Sequence, residues 1–379
     1  MRVLILHSRY LSGAASGENR VVQDEIRLLR EGGHDVVAWT PSIPPHPSVP
    51  QLVAAGMGAV WSQRAVDAVR RTLGRLNVDV VHVHNLYPSL SPAVLRLAAA
   101  EGVKVVATLH NYRLMCLPGS FLRQGRLCED CLGRQPWPGV LHRCYRGSRP
   151  ASAALAISIS VHRGLGTFAD VTTYIAVSGF VRRKYIQAGF DPARITVRPN
   201  FAWPMPQRNG PGRHFLYLGR LSPEKGLPTL LEAWADLDVQ LLVAGDGPER
   251  SRLERFASSR VTFLGMVSAT QAAELLREAR ALILPAEWFE PAPRSIVEAF
   301  AAGVPVIATR RGGIPESVED GRSGVLFPAG DVASLRRAVE SLMDDRRSRE
   351  LGEGAYRSWT TRFTPAEALS SLERIYAGG

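Results

Sequence analysis

An α/β architecture with two consecutive doubly wound, parallel-sheet halves is predicted, and three observations carry the prediction. Short runs rich in Val, Ile and Leu alternate with helix-length segments. The alternation restarts after a Pro- and Gly-dense stretch at mid-chain. A chain of 379 residues, 45% hydrophobic, is long enough to bury two cores.

Strands are expected at 2–6, 35–39, 79–83, 104–108 and 172–177. Between them, segments such as 18–31 and 59–76 carry apolar residues at three- and four-residue spacing, the period of a helix with one buried face. Residues 198–212, with four prolines and two glycines, can continue neither a helix nor a central strand and read as a linker. Strands resume at 214–218, 239–244, 261–264, 281–284 and 304–308. The expected domains are therefore 1–200 and 201–360, with a helix over 361–379 returning to the first. Doubly wound units bind ligands at the carboxyl ends of their strands, so a cleft between the halves is expected.

Charge narrows the partners. The formal charge is +11, with 24 Lys and Arg against 12 Asp and Glu in residues 1–205 but 22 against 23 in the remainder. A basic first half suits an anionic substrate or an anionic membrane face. Clusters such as Arg70-Arg71 and Arg182-Arg183-Lys184 also read simply as solvated helix surface. Nucleic acid is disfavoured, because no basic run is interleaved with aromatics. Val3-Leu4-Ile5-Leu6 is too short for a membrane span and lacks a cleavage pattern, so the expectation is a cytoplasmic protein, with contact to the inner membrane face as an option.

The most informative stretch is 285–313, PAEWFEPAPRSIVEAFAAGVPVIATRRGG. Ile283-Leu284 ends a strand, a loop follows, and a helix starts near Pro293, a residue suited to a first turn. Gly303 ends that helix. Glu290 falls in the loop and Glu298 in the second helical turn. Between them, the N–H groups of Ser295 and Ile296 and the positive helix end offer an anion site. Carboxylates accept bonds from sugar hydroxyls, so this order suits a diphosphate with a sugar at each end. Taken alone, Glu298 could equally face solvent on an ordinary helix.

Glu290 and Glu298, with seven residues between them and followed by Gly303-Val304-Pro305-Val306-Ile307-Ala308-Thr309 and Gly312-Gly313, resemble the E-x7-E signature of family 4 glycosyltransferases, which have the GT-B fold. The resemblance implies that Glu290 meets hydroxyls of the donor sugar and Glu298 the ribose. Pro291-Ala292-Pro293 departs from the Gly-Phe-Gly of many members. Leu218-Gly219-Arg220-Leu221-Ser222-Pro223-Glu224-Lys225-Gly226 fits the same template. A leaving diphosphate gains negative charge as the glycosidic bond breaks, which Arg220 and Lys225 on one loop would stabilise. Gly245-Asp246-Gly247-Pro248 and Gly265-Met266-Val267 resemble the loops that hold the nucleotide, with the backbone of Met266 and Val267 at the base. Gly17 stands where relatives have a Gly-rich loop reaching the donor phosphate, and only Gly13 and Gly17 remain glycine there. The histidine of Thr108-Leu109-His110 corresponds to one beside the donor sugar, which makes His110 the central catalytic candidate. His84 ranks second, and His82 reads as structural.

The resemblance implies retention of anomeric configuration by front-face attack, with the departing phosphate taking the acceptor proton. No catalytic metal is then required, and no D-x-D stands in a supporting strand context. A uridine diphosphate sugar is the first expectation for the donor and a guanosine diphosphate sugar the second. The acceptor would be a hydroxyl of a glycan, glycolipid or small natural product. A nucleotide-sugar epimerase or hydrolase, or a non-catalytic nucleotide-binding regulator, are the alternatives.

One feature stands outside this template. Cys116, Cys128, Cys131 and Cys144 form C-x11-C-x2-C-x12-C within an insertion, 112–150, that has few core-building residues. Two cysteines two residues apart can grip one ion, and the outer pair completes a tetrahedral set, so a structural zinc site is expected. Disulfides are disfavoured in a cytoplasmic chain. His142 as a substitute ligand and unlinked thiols remain open.

Overall fold

A computed structural model of the chain describes residues 1–9, 17–42 and 48–378. It divides into two compact units, residues 1–123, 127–198 and 369–379 in the first and 124–126 and 199–368 in the second.

The first unit holds β1 (Arg2–His7), β2 (Asp35–Trp39), β3 (Val80–Asn85), β4 (Lys104–Leu109), then β7 (Thr173–Ala176) and β8 (Ile195–Val197); a two-residue-strand hairpin, β5 (Leu122–Arg123) and β6 (Arg126–Leu127), falls at residues 122–127, where the division between units passes. Six of these form one all-parallel sheet in the order β2-β1-β3-β4-β7-β8. Strands such as β3 (VVHVHN) are buried at every position, as a sheet covered on both faces requires. The second unit holds β9 (His214–Leu218), β10 (Leu241–Ala244), β11 (Val261–Gly265), β12 (Ala279–Leu284), β13 (Val306–Thr309) and β14 (Gly324–Phe327), parallel in the order β11-β10-β9-β12-β13-β14. Two doubly wound α/β sheets are thus present.

Several elements differ from expectation. The helix expected over 59–76 is broken at Trp61-Ser62 into Val49–Val60 and Gln63–Arg75. The Ser62 hydroxyl accepts from the Ala65 N–H at 3.3 Å and caps the second helix. β8 and β14 have no counterpart among the expected strands; β8, at three residues, is too short to leave a periodic signal. The C-terminal helix covers Pro365–Ala377 rather than 361–379, because Arg362 ends the preceding helix, Asp345–Arg362, and Pro365 opens a new one. Within the first unit, Lys104 Nζ donates to the Ile375 carbonyl at 2.8 Å and His34 Nε2 lies 3.1 Å from Glu373 Oε1.

Candidate active site

Each sheet has one switch point, where the chain reverses the direction in which it adds strands, and there the loops at the carboxyl ends diverge to leave a crevice. In the second unit the switch lies between β9 and β12, which are adjacent and parallel. The loops that leave them carry Arg220, Lys225, Glu290 and, at the following helix, Glu298.

Lys225 ends the short 3-10 turn Pro223–Lys225, and its Nζ lies 2.7 Å from Glu290 Oε2. The same oxygen accepts from Trp288 Nε1 at 2.7 Å, and the Lys225 ammonium sits 5.2 Å from the Trp288 ring centre. Sequence reasoning gave the ammonium to a diphosphate and the carboxylate to a sugar. It did not foresee their pairing, which follows from adjacent strands delivering both side chains to one point. It also missed Trp288, whose only signal was an aromatic inside the loop. Glu290 is buried, and its carbonyl accepts from the Gly313 N–H at 2.8 Å. A Cβ at Gly312, where φ is +63°, would fall 2.4 Å from that same carbonyl oxygen. The Gly312-Gly313 pair therefore lets the next loop lie against Glu290.

Arg220 is exposed, and its side chain has no hydrogen bond or ion pair among the described residues; Tyr217 Oη donates to its carbonyl at 2.8 Å. Its loop is held from behind. A Cβ at Gly245 would lie 1.9 Å from the Gly219 carbonyl oxygen, and one at Gly247 would lie 2.2 Å from that of Leu221. Both glycines are thus needed for loop-on-loop contact, whatever they offer a ligand. Met266 and Val267 lie between β11 and the helix Ala269–Glu278, with Met266 exposed.

The helix Arg294–Ala301 starts after Pro293, as expected. Ser295 is half-buried, but the Ile296 N–H donates to the Pro293 carbonyl at 3.2 Å, so it is already engaged. Glu298 is 2.9 Å from Arg294 Nη2, one turn earlier on the same helix, a pairing the sequence reading did not include. Gly226 has φ +70°, and a Cβ there would lie 1.9 Å from the Pro285 carbonyl oxygen. Gly226→Ala should cost about 3 kcal/mol or more, measured by urea unfolding, because it adds left-handed strain to a backbone clash.

In the first unit the switch lies between β1 and β3. His110 follows β4 and is half-buried; its Nε2 is 2.9 Å from His84 Nδ1, with the two ring planes nearly parallel at 17°. Burial, and then the repulsion that protonated His110 and His84 rings would exert on each other, holds His110 well below the usual imidazole range. His84, Asn111, Arg113 and Tyr185 line a cavity with His110. Nearby, burial lifts the Glu18 carboxyl to about 7 against the opposing pull of Arg113 and Asn111, and burial drops His7 to about 4. Gly17 is the first residue of the helix Gly17–Glu31 rather than part of a loop, and a Cβ there would meet nothing within 4 Å. Gly13 lies outside the described residues.

No disulfide joins the four cysteines, which line a single cavity together with Arg123, Asp130 and Gly139. His142 is exposed and not part of that lining.

Residues 15–202 match the model for Glycosyltransferase Family 4, and residues 205–358 match the one for Glycosyl transferases group 1. Glycogen synthase of Mycobacterium tuberculosis is 28% identical over 394 residues, covering 91% of this chain and 86% of the relative. The phosphatidyl-myo-inositol mannosyltransferase of Mycobacterium leprae is 29% identical over 376 residues, covering 92% and 89%. Among solved structures, Anabaena Alr3699/HepE in complex with UDP superposes with a TM-score of 0.67 at 19% identity over the whole of both chains.

Proposed function

The chain is a GT-B glycosyltransferase of the family 4 type, and from that premise we propose that it transfers a sugar from a nucleoside diphosphate sugar to an acceptor hydroxyl with retention and without a catalytic metal. The observation that carries the reading is the convergence of Lys225, Glu290 and Trp288 on one point beside the Arg294–Ala301 helix, with the unpaired Arg220 on the same loop as Lys225. As the bond from the anomeric carbon to the β-phosphate oxygen breaks, charge grows on the leaving diphosphate. Lys225 and Arg220 meet that charge, the role a divalent ion would otherwise fill. The acceptor oxygen bonds to the anomeric carbon on the same face and passes its proton to the departing phosphate. Glu290 accepts from hydroxyls of the transferred sugar and Glu298 from the ribose, while His110, in the first unit, is assigned to catalysis by its resemblance to the family's T-x-H histidine.

UDP is the preferred nucleotide, a choice supported by its presence in the HepE structure, with GDP second. A thermal-shift series of UDP and GDP, then their sugars, tests this, since a ligand bound only by the folded state raises the melting temperature. A UDP-dependent rise with slow UDP release from a UDP-sugar is expected, and turnover should survive EDTA. Loss of turnover with chelator, restored by magnesium, overturns the metal-independent reading. Binding without any nucleotide release would favour the regulatory alternative.

A lipid-bound acceptor is favoured by a second observation. The helix Val49–Val60 exposes Leu52, Val53 and Met57, on the unit that carries the excess positive charge. No helix of the described residues is long and apolar enough to cross a membrane. Co-sedimentation with anionic vesicles is expected, weakened several-fold by Met57→Glu and by raised salt. The four cysteines would hold a structural zinc ion that stabilises the insertion, 112–150.

A further inference from the structure

We propose that Glu25 is a positioning residue that fixes the tautomer of His110, keeping the ring hydrogen on Nε2 and leaving Nδ1 as a hydrogen-bond acceptor. The inference rests on the reading of His110 given above and concerns the first unit alone. Glu25 lies on the helix Gly17–Glu31 and is fully buried. Its Oε2 is 2.8 Å from Arg198 Nη1, and this guanidinium, with the nearby histidines, outweighs burial and keeps the carboxyl well below its usual range. Its other oxygen, Oε1, is 3.1 Å from both His84 Nε2 and His82 Nδ1.

The tautomers follow outward from that fixed charge. Oε1 and His84 Nε2 make no well-formed hydrogen bond, so their contact is that of an ion with a dipole. Without such a bond the sign of charge at the nitrogen still decides: an N–H end is positive and attracts the carboxylate oxygen 3.1 Å away, while a bare, electron-rich nitrogen is repelled, so His84 carries its hydrogen on Nε2. In the neutral ring, Nδ1 is then an acceptor. His110 Nε2, 2.9 Å away, must be the donor. His110 Nδ1, with no partner among the described residues, is left with its lone pair available to a hydroxyl. His82 is occupied elsewhere: its Nε2 is 2.7 Å from Thr108 Oγ1, and its Nδ1 is 2.7 Å from the Tyr376 hydroxyl of the C-terminal helix. Glu25, His82 and His84 also have the composition of a metal-ligand set. Arg198, against the same carboxylate, already supplies the positive charge a cation would bring.

Glu25→Gln discriminates because an amide has only one oxygen. Arg198 claims that oxygen, which turns the NH2 group towards His84. His84 Nε2 must then accept, its Nδ1 becomes the donor, His110 Nε2 accepts, and His110 carries its hydrogen on Nδ1. The experiment is nitrogen-15 NMR of the histidine-labelled full-length protein at pH 8, with steady-state kinetics on the same samples. Expected are an Nε2–H tautomer for His110 in the wild type, reversal in E25Q, and return in E25D. In E25Q, kcat should fall about 10- to 100-fold with donor KM within twofold. A wild-type His110 protonated on Nδ1, or a tautomer unchanged in E25Q, overturns the proposal. The wild-type measurement decides even if E25Q does not fold. A protein with the expected tautomers that transfers no sugar refutes the assigned function but leaves the relay standing; transfer with the opposite tautomer does the reverse.

Discussion

Lys225→Ala should lower kcat about 100- to 1,000-fold, the loss typical of removing one preorganised charge from a developing oxyanion. The ammonium has two tasks, holding Glu290 at 2.7 Å and meeting the leaving diphosphate, and the variant loses both. Glu290 keeps its bond from Trp288 Nε1, so the buried carboxylate is not abandoned. The melting temperature should therefore fall by less than the 3–5 kcal/mol typical of a broken buried ion pair implies. Glu290→Gln separates the tasks, because it leaves the Lys225 charge and removes only the carboxylate. It should reduce kcat, leave UDP binding in a thermal-shift assay close to wild type, and weaken discrimination among sugars. If Lys225→Ala binds UDP and turns over like the wild type, the ammonium does not meet the diphosphate, and the assignment of this loop fails.

Much of this arrangement was legible in the sequence because parallel α/β folds write their organisation locally. Buried strands such as VLIL and VVHVH stand out as apolar runs, and the linker stands out by its prolines. The start of the Arg294–Ala301 helix was marked by Pro293. What escaped were relations between residues distant in the chain. That Lys225 pairs with Glu290, 65 residues on, depends on β9 and β12 being neighbours, which the β11-β10-β9-β12 order decides and no local pattern encodes. The Glu25–His84–His110 chain likewise joins a helix to the ends of two strands. Gly245 and Gly247 read as nucleotide contacts, while their packing against the Arg220 loop emerged only in three dimensions.

Replacing Cys128 or Cys131 with Ser should reduce bound zinc from about one equivalent to near none and loosen one segment of the chain rather than the whole fold. From 122 to 150 only Pro136 and Gly139 are buried, so this stretch has almost no apolar core of its own. Yet its backbone is held under strain. Phe121, Gln124, Arg143 and Arg146, the four non-glycine residues with positive φ among those described, all lie in this region. Such conformations persist only where something else fixes them; the four thiols line one cavity, no three of them already gathered at metal-ligand spacing, and an ion that drew them together would do so. Arg123, Arg126, Arg134 and Arg143 supply trypsin sites within the segment. Limited trypsin cleavage there should accelerate at least about tenfold in either variant or after chelation, while each unit's core keeps its cooperative unfolding. Protein purified under reducing conditions with less than about 0.1 equivalent of zinc or iron, and resistant to cleavage nonetheless, would show that the turns are held by hydrogen bonds such as Cys128 N–H to the Phe121 carbonyl, at 2.8 Å, and not by a metal.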